Sequence, residues 1–446
     1  MPTLWTRIRR ALFTWWLWAG AAVWATLQRD WGNASWLWLM AAATRIAAPI
    51  ERPPLYGLEH QMAVGTKAFV ESVAGATGAP FVDGNRVTVL NNGDEFYPAM
   101  LDAIRHARRS VTIEAYIYWN GQVGLEFARA LAERSQHGVE VKILLDAVGS
   151  ATIGTEILKV LESGGCQLAW FHPVHWYTIA RFNQRTHRKT LLVDGRVGFT
   201  GGAGIGDQWS GHAQDPDHWH DVQVRVEGPG VVPLQTGFVD NWLETTGELV
   251  TGENFFPPAR AAGDTPVQTV MSSPEVGSST VRTLYLLSII CARKSILIAN
   301  PYFVPDAAAI ESLAEARARG VDVRIMVSGA QNDHWLARHN SVRLYGPLLE
   351  AGASIYEYDT TMLHHKVMVV DHKWATIGTA NFDNRSFGLN EESNVSFFDP
   401  EPIARLLEIF DQDWPHSRRI TLEQWQRRGI WRKVQEVVAS LLQDQV

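Results

Sequence analysis

His187-Arg188-Lys189-Thr190-Leu191-Leu192-Val193-Asp194 and His364-His365-Lys366-Val367-Met368-Val369-Val370-Asp371 are the two stretches on which the fold turns. Both read H-x-K-x4-D, and they lie 177 residues apart. One such match is expected by chance only about 0.01 times from this composition. On an extended strand residues i and i+2 share a face, so His187 projects with Lys189 and His364 with Lys366. The apolar residues that follow bury each strand. Asp194-Gly195 and Asp371-His372 then turn into a second strand ending at Gly201 and Gly378.

Working outward, the rest of the chain repeats too. Ala107-Arg108-Arg109-Ser110 enters VTIEAYIY, and Ala292-Arg293-Lys294-Ser295 enters ILIANPYF. Gly138 opens GVEVKILLD and Gly320 opens GVDVRIMVS; FVDNW (Phe238 to Trp242) matches FDQDW (Phe410 to Trp414). The offsets of 185, 182 and 172 residues make this a domain duplication, not a solenoid. Short apolar strands alternate with helical stretches, so the expected class is α/β. The halves are read as 58–262 and 263–446, with Pro257, Pro258 and Gly263 at the seam. Pairing them brings two imidazoles and two ammonium groups into one pocket. That set suits a phosphodiester: a nucleophile, an acid for the leaving oxygen, and cations around the phosphoryl oxygens. No metal or cofactor is required, because the lysines supply the charge.

The 446 residues are 46% apolar and 20% charged, a globular composition. The two cysteines, Cys166 and Cys291, make no disulfide framework. A net charge of −7 argues against a nucleic-acid partner. The 19 tryptophans are concentrated: Trp5, Trp15, Trp16, Trp18, Trp24, Trp31, Trp36 and Trp38 fall in the first 40 residues, as at a membrane interface. Arg7, Arg9 and Arg10 precede the 17 uncharged residues Ala11 to Leu27, and a second apolar run covers Ser35 to Ala43. A signal peptide, a membrane span or interfacial hairpin, and a buried soluble hairpin compete; membrane association by residues 1–50 is the expectation. Pro49, Pro53 and Pro54 mark a linker over 51–57.

The paired motifs resemble those of the phospholipase D superfamily, and their surroundings resemble its bacterial cardiolipin synthase branch. The carriers are HRKTLLVDGRVGFTGG with WHDVQVRVEGP, HHKVMVVDHKWATIGTANFDNRSFGLNEESN, and FVDNWLETTGE. The resemblance implies two pseudo-symmetric α/β sandwich halves sharing one active site, behind an N-terminal hydrophobic membrane segment. It implies a catalytic set of His187, Lys189, Asp194, His364, Lys366 and Asp371, the two aspartates being structural members. His187 is assigned as the nucleophile that carries a phosphatidyl group and His364 as the acid and base. Lys189, Lys366 and Asn381 correspond to phosphate-binding positions, Glu392 and Asp221 to carboxylates that orient an imidazole. Gly204 departs from the pattern, standing where Asn381 has its first-half counterpart.

The implied reaction joins two phosphatidylglycerols into cardiolipin and glycerol. Hydrolysis and a phosphatidylethanolamine-using synthase are the alternatives; a nuclease and an inactive membrane scaffold are disfavoured. The expected partners are phospholipids (phosphatidylglycerol and cardiolipin) and a membrane, at the cell inner membrane with a cytoplasmic body; a homo-oligomer is left open. GGAGIG (Gly201 to Gly206) lacks a nucleotide-loop spacing. GHAQDPDHWHD carries His212, His218 and His220 without a zinc spacing, and reads as a loop near the pocket. His106, His172, His175 and His416 read as structural or surface residues. Trp431, Val434, Val437, Val438, Leu441 and Leu442 have helical period, for a packed or interfacial helix.

Overall fold

The computed structural model describes residues 15–46, 62–173, 183–274 and 280–440. The sequence features at Arg7 to Arg10, Pro49 to Pro54, His175, Leu441 and Leu442 lie outside these residues.

In the first half the strands are β1 (Phe81–Asn91), β2 (Ser110–Ala115), β3 (Glu140–Asp146), β4 (Gln167–Phe171), β5 (Arg185–Thr186), β6 (Thr190–Val193), β7 (Val197–Gly201) and β8 (Val222–Glu227). In the second they are β9 (Thr265–Ser272), β10 (Ser295–Ala299), β11 (Asp322–Ser328), β12 (Ser354–Tyr358), β13 (Val367–Val370), β14 (Trp374–Gly378), β15 (Asn390–Phe397) and β16 (Ser417–Ile420). Their lateral order is β4-β3-β2-β6-β7-β8-β1, then β9-β15-β14-β13-β10-β11-β12-β16. Read outward from the antiparallel β1/β9 pair, the two series correspond strand for strand as far as β4 and β12, and β16 is an extra edge strand of the second half. β2, β3 and β4 are parallel, as are β10, β11 and β12. Such strands need crossover helices, and the helices Gln122–Gln136 and Ala307–Ala318 occupy matching places.

Strand periodicity sorts the cores. Leu192 and Leu144 enter a cluster drawn from both halves, while Leu191, Val193, Ile143 and Leu145 enter one confined to the first half. Val367 and Val369 join the shared cluster, whereas Met368 and Val370 turn to a second-half core that also takes in Val64, Phe69 and Val73. Helices Val231–Thr246 and Pro400–Asp413 plug this shared layer. Their aromatic pairs repeat one geometry: Phe238 on Trp242 and Phe410 on Trp414 each stack at 5.6 Å and 23°.

Helices Trp15–Leu27 and Trp31–Ile46 form a hairpin, with Trp18 and Trp36 edge to face at 5.8 Å. The contact is made by small residues, since Ala22, Ala25, Ala34 and Ala41 are buried. Trp24, Leu27, Trp31 and Leu39 stay 66–73% exposed, which removes the reading as a buried soluble hairpin. The helices have 13 and 16 residues, about 20 and 24 Å at 1.5 Å per residue. Among the described residues no helix is long and apolar enough to cross a membrane. Within the described residues the expected membrane-associating segment is two short helices packed side by side, the hairpin among the alternatives read from the sequence.

Candidate active site

Each motif histidine is held against the opposite half. β5 pairs in parallel with β15, Arg185 with Asn390 and Thr186 with Glu391, and the next amide, that of His187, donates to the Glu391 carbonyl at 2.9 Å. In the second half the His364 amide donates to the His220 carbonyl at 2.7 Å, and the His220 amide to that of Met362 at 2.9 Å. The side chains then cross as well. His187 Nδ1 lies 3.0 Å from both carboxylate oxygens of Glu392, and His364 Nδ1 lies 2.7 Å from Asp221 Oδ2. Both imidazoles line one cavity of about 560 Å³, with Lys189, Asn381, Tyr116, Trp219, Tyr302, Arg185 and Arg385 among the other walls.

The lysines sit beneath the rings. Lys189 Nζ donates to the His187 carbonyl at 2.9 Å and lies 5.5 Å from the Tyr116 ring centre. Lys366 Nζ donates to the His364 carbonyl at 2.7 Å and lies 3.1 Å from both ring nitrogens. Burial pushes Lys189 down to about 7, with Lys366 adding repulsion, and burial pushes Lys366 down to about 8. Burial likewise lowers His187 to about 4 and His364 well below its ordinary value, which favours the neutral form of both rings.

The two carboxylates differ. Burial opposes the charge on Glu392, yet His187, Lys189 and the Thr379 hydroxyl hold it below the usual carboxylate range. Asp221 receives Trp209 Nε1–H at 3.0 Å and the Val222 amide at 2.8 Å, but burial still pushes it up to about 7. The two surroundings thus favour charge on Glu392 and a retained proton on Asp221.

The remaining sequence candidates are placed as follows. Asp194 and Asp371 are absent from the cavity wall. Asp194 accepts the amides of Arg108, Arg109 and Ser110 at 3.1, 2.7 and 3.1 Å. Asp371 accepts those of Arg293, Lys294 and Ser295 at 2.9, 2.6 and 3.0 Å. These contacts suit the structural role expected of the two aspartates: each ties its motif's turn to the repeated Arg-Arg/Lys-Ser entry of β2 or β10. Asn381 faces the cavity with its buried Oδ1 unpartnered. Gly204 has no room for an asparagine, since a Cβ there would fall 2.9 Å from Ile117 Cβ.

GGAGIG, read as a decoy for nucleotide, instead closes around the second dyad. A Cβ on Gly202 would lie 2.3 Å from Asp221 Oδ1 and 2.6 Å from the His364 carbonyl. In GHAQDPDHWHD, His212 pairs with exposed Asp94 and His218 with Asp215, while Trp219 reaches the cavity. His220 is buried between Asn92 Oδ1 at 2.7 Å and Asp413 Oδ1 at 2.8 Å. With His365, these place ligand-type atoms of His220 and Asp413 within 4.8 Å of one another, a buried knot joining the halves behind the His364 backbone. His106 pairs with Asp102 at the surface, His172 with Glu244, and His416 is exposed. Thr379, Trp209, Arg185 and Arg385 carry no motif signal and were not anticipated.

A family model described as "Cardiolipin synthase, PLD-like domain" matches residues 100–216 and 286–414. Cardiolipin synthase 1 of Bacillus anthracis is 34% identical over 374 residues, 82% of this chain and 73% of that protein. The major cardiolipin synthase of Bacillus subtilis is 34% identical over 367 residues, 82% of this chain and 76% of its own. In fold, the chain resembles phosphatidylserine synthase of Haemophilus influenzae, with a TM-score of 0.63 at 14% identity over 84% of this chain and 99% of that one. With both motif copies inside the matched segments, the chain belongs to the phospholipase D-like cardiolipin synthase family.

Proposed function

We propose that the chain is a cardiolipin synthase, a phosphatidyltransferase that joins two phosphatidylglycerols and releases glycerol. The supporting observation is the crossed pair of dyads: each half supplies an imidazole to one cavity, and the opposite half supplies the carboxylate behind it. The contributing halves are 58–262 and 263–446.

The asymmetry of the dyads supports the division of labour. Neutral His187, its Nδ1–H on ionised Glu392, attacks phosphorus through Nε2. The P–O bond to glycerol breaks as a phosphorus–nitrogen bond forms, and the proton held by the His364–Asp221 pair passes to the departing glycerol oxygen. The hydroxyl of a second phosphatidylglycerol then returns a proton to His364 and attacks phosphorus. Cardiolipin leaves and His187 is free again. Lys189, Lys366 and the Asn381 amide stabilise the charge on the phosphoryl oxygens. Charge balance is complete without a metal or cofactor.

Lipid substrates place the work at a membrane, and the exposed tryptophans of the N-terminal hairpin support interfacial attachment. We place the chain at the cell inner membrane with the body on the cytoplasmic side, Arg7 to Arg10 lying on that side. Incubation with phosphatidylglycerol labelled in both the acyl chains and the headgroup tests the reading. Cardiolipin with free glycerol is expected. Phosphatidic acid would make the chain a hydrolase, and product formed only when phosphatidylethanolamine is added would change the second substrate.

A further inference from the structure

The C-terminal helix Ile430–Ser440 is amphipathic in the reverse sense from a packed surface helix. Its polar and small residues face the protein. Glu436 is buried and receives both ends of the Arg428 guanidinium at 2.7 and 2.8 Å, and the Ala439 carbonyl accepts Asn340 Nδ2–H at 3.0 Å. Its apolar residues face out: Ile430 is 81% exposed, Trp431 72%, Val434 45%, and Val437 and Val438 53% each. At 3.6 residues per turn these five cover an arc of about 120°. The period was legible in the sequence; its direction was not.

Two observations say what covers this face. The first is position. The helix packs on Trp335–Glu350, whose Ala337 lines the catalytic cavity and whose Asn340, one turn on, holds Ala439. Trp335, beside the cavity residue His334, is itself 50% exposed. The supporting helix thus carries an exposed tryptophan of its own beside the cavity. The second is charge. On the helix itself both exposed charged side chains, Arg432 and Lys433, are cationic and the single acid, Glu436, is buried, while just before it Arg427 is paired with exposed Glu423 at 2.8 Å.

We propose that this helix is a docking surface for an anionic phospholipid bilayer, which seats the mouth of the cavity at the lipid headgroups. The proposal rests on the lipid-substrate reading above. A second copy of the chain is the poorer occupant. Eleven residues at 1.5 Å each give a face roughly 16 Å long and 10 Å wide, far below the ~800 Å² per partner of a stable dimer.

The test uses the full chain carrying Val434→Cys labelled with an environment-sensitive fluorophore; the native Cys166 and Cys291 are buried and leave the label selective. Phosphatidylglycerol vesicles should shift the emission to the blue by ~10 nm, and nitroxide-bearing acyl chains should quench it, as for a probe ~5–10 Å into the interface. No shift on vesicles that carry the protein down in a spin would overturn the proposal. A shift that rises with protein concentration in the absence of vesicles would overturn it in favour of a second copy, and one already maximal and concentration-independent in favour of another part of this chain.

A kinetic arm separates docking from chemistry. The double variant Val434→Asp, Val438→Asp should lose about tenfold in turnover on vesicles and stay within ~2-fold of the parent on detergent-dispersed phosphatidylglycerol. Equal losses in both would contradict docking. Absence of cardiolipin from the parent in both formats would instead defeat the functional reading, leaving the fluorescence result to stand by itself.

Discussion

Nδ1 of His187, from the first half, lies 3.0 Å from the carboxylate of Glu392, from the second, and that carboxylate is also held by the Thr379 hydroxyl at 2.5 Å. Neither half alone completes a dyad. The duplication is a requirement of the site, because each imidazole borrows its orienting carboxylate across the molecular pseudo-axis.

Glu392→Gln keeps an acceptor of the right shape but removes the charge and admits the wrong tautomer. A loss of about 10³-fold in kcat is expected, with thermal stability nearly unchanged. Steady-state assay beside a melting curve separates this from a folding defect; a drop in both would make Glu392 a structural residue.

The pH profile of kcat/KM should be a broad bell. Going down through about 4, protonation of His187 removes the nucleophile's lone pair, so activity falls on the acid side. Going up through about 7, the proton kept by the Asp221–His364 pair is lost, and Lys189 and Lys366 lose their charge near about 7 and about 8, so activity falls on the alkaline side. These are free-enzyme groups, which is why kcat/KM reports them. An acid limb near 6.5 would show that His187 is not desolvated.

Lys189 is expected to trade stability for chemistry. Its folded-state pKa is about 7 against an ordinary 10.5, so the buried charge destabilises the fold fully below about 7 and progressively less as pH rises toward the unfolded value. Lys189→Met should abolish turnover and raise the melting temperature at pH 6 by roughly 5 °C, from about 2–3 kcal/mol of relieved desolvation. Calorimetry checks it; a lower melting temperature would mean that the ammonium group holds the fold together.

Asp371→Ala should do the opposite. Three amides lose their acceptor and a non-glycine residue remains at φ 54°, so a loss of about 2–3 kcal/mol is expected. Denaturant titration reads that loss, while the activity of the folded fraction should stay within ~3-fold. An undiminished stability would assign the aspartate to chemistry.

Local period made the motif strands legible: H-x-K puts two polar groups on one face, and the apolar run that follows has only a buried sheet to enter. The Phe238–Trp242 and Phe410–Trp414 pairs were legible because a repeated i, i+4 spacing meets the same packing environment twice. Asp221 and Glu392 were reached only through family resemblance, since their contacts span 143 and 205 residues and leave no local pattern. Trp209, Thr379 and Gly202 were missed for the same reason. Gly202 is required by a neighbour's oxygen and not by its own loop's regularity. For the N-terminal segment, hydropathy identified an interfacial composition, but helix length is set by where Gln28-Arg29-Asp30 breaks the run.

The division of labour between the two dyads is tested most directly by quenching turnover of acyl-labelled phosphatidylglycerol at alkaline pH, where phosphorus–nitrogen bonds survive, and mapping the labelled peptide. Label on the peptide containing His187, absent in His187→Ala, is the expected result. Label on the His364 peptide, or turnover retained by His187→Ala, would contradict it.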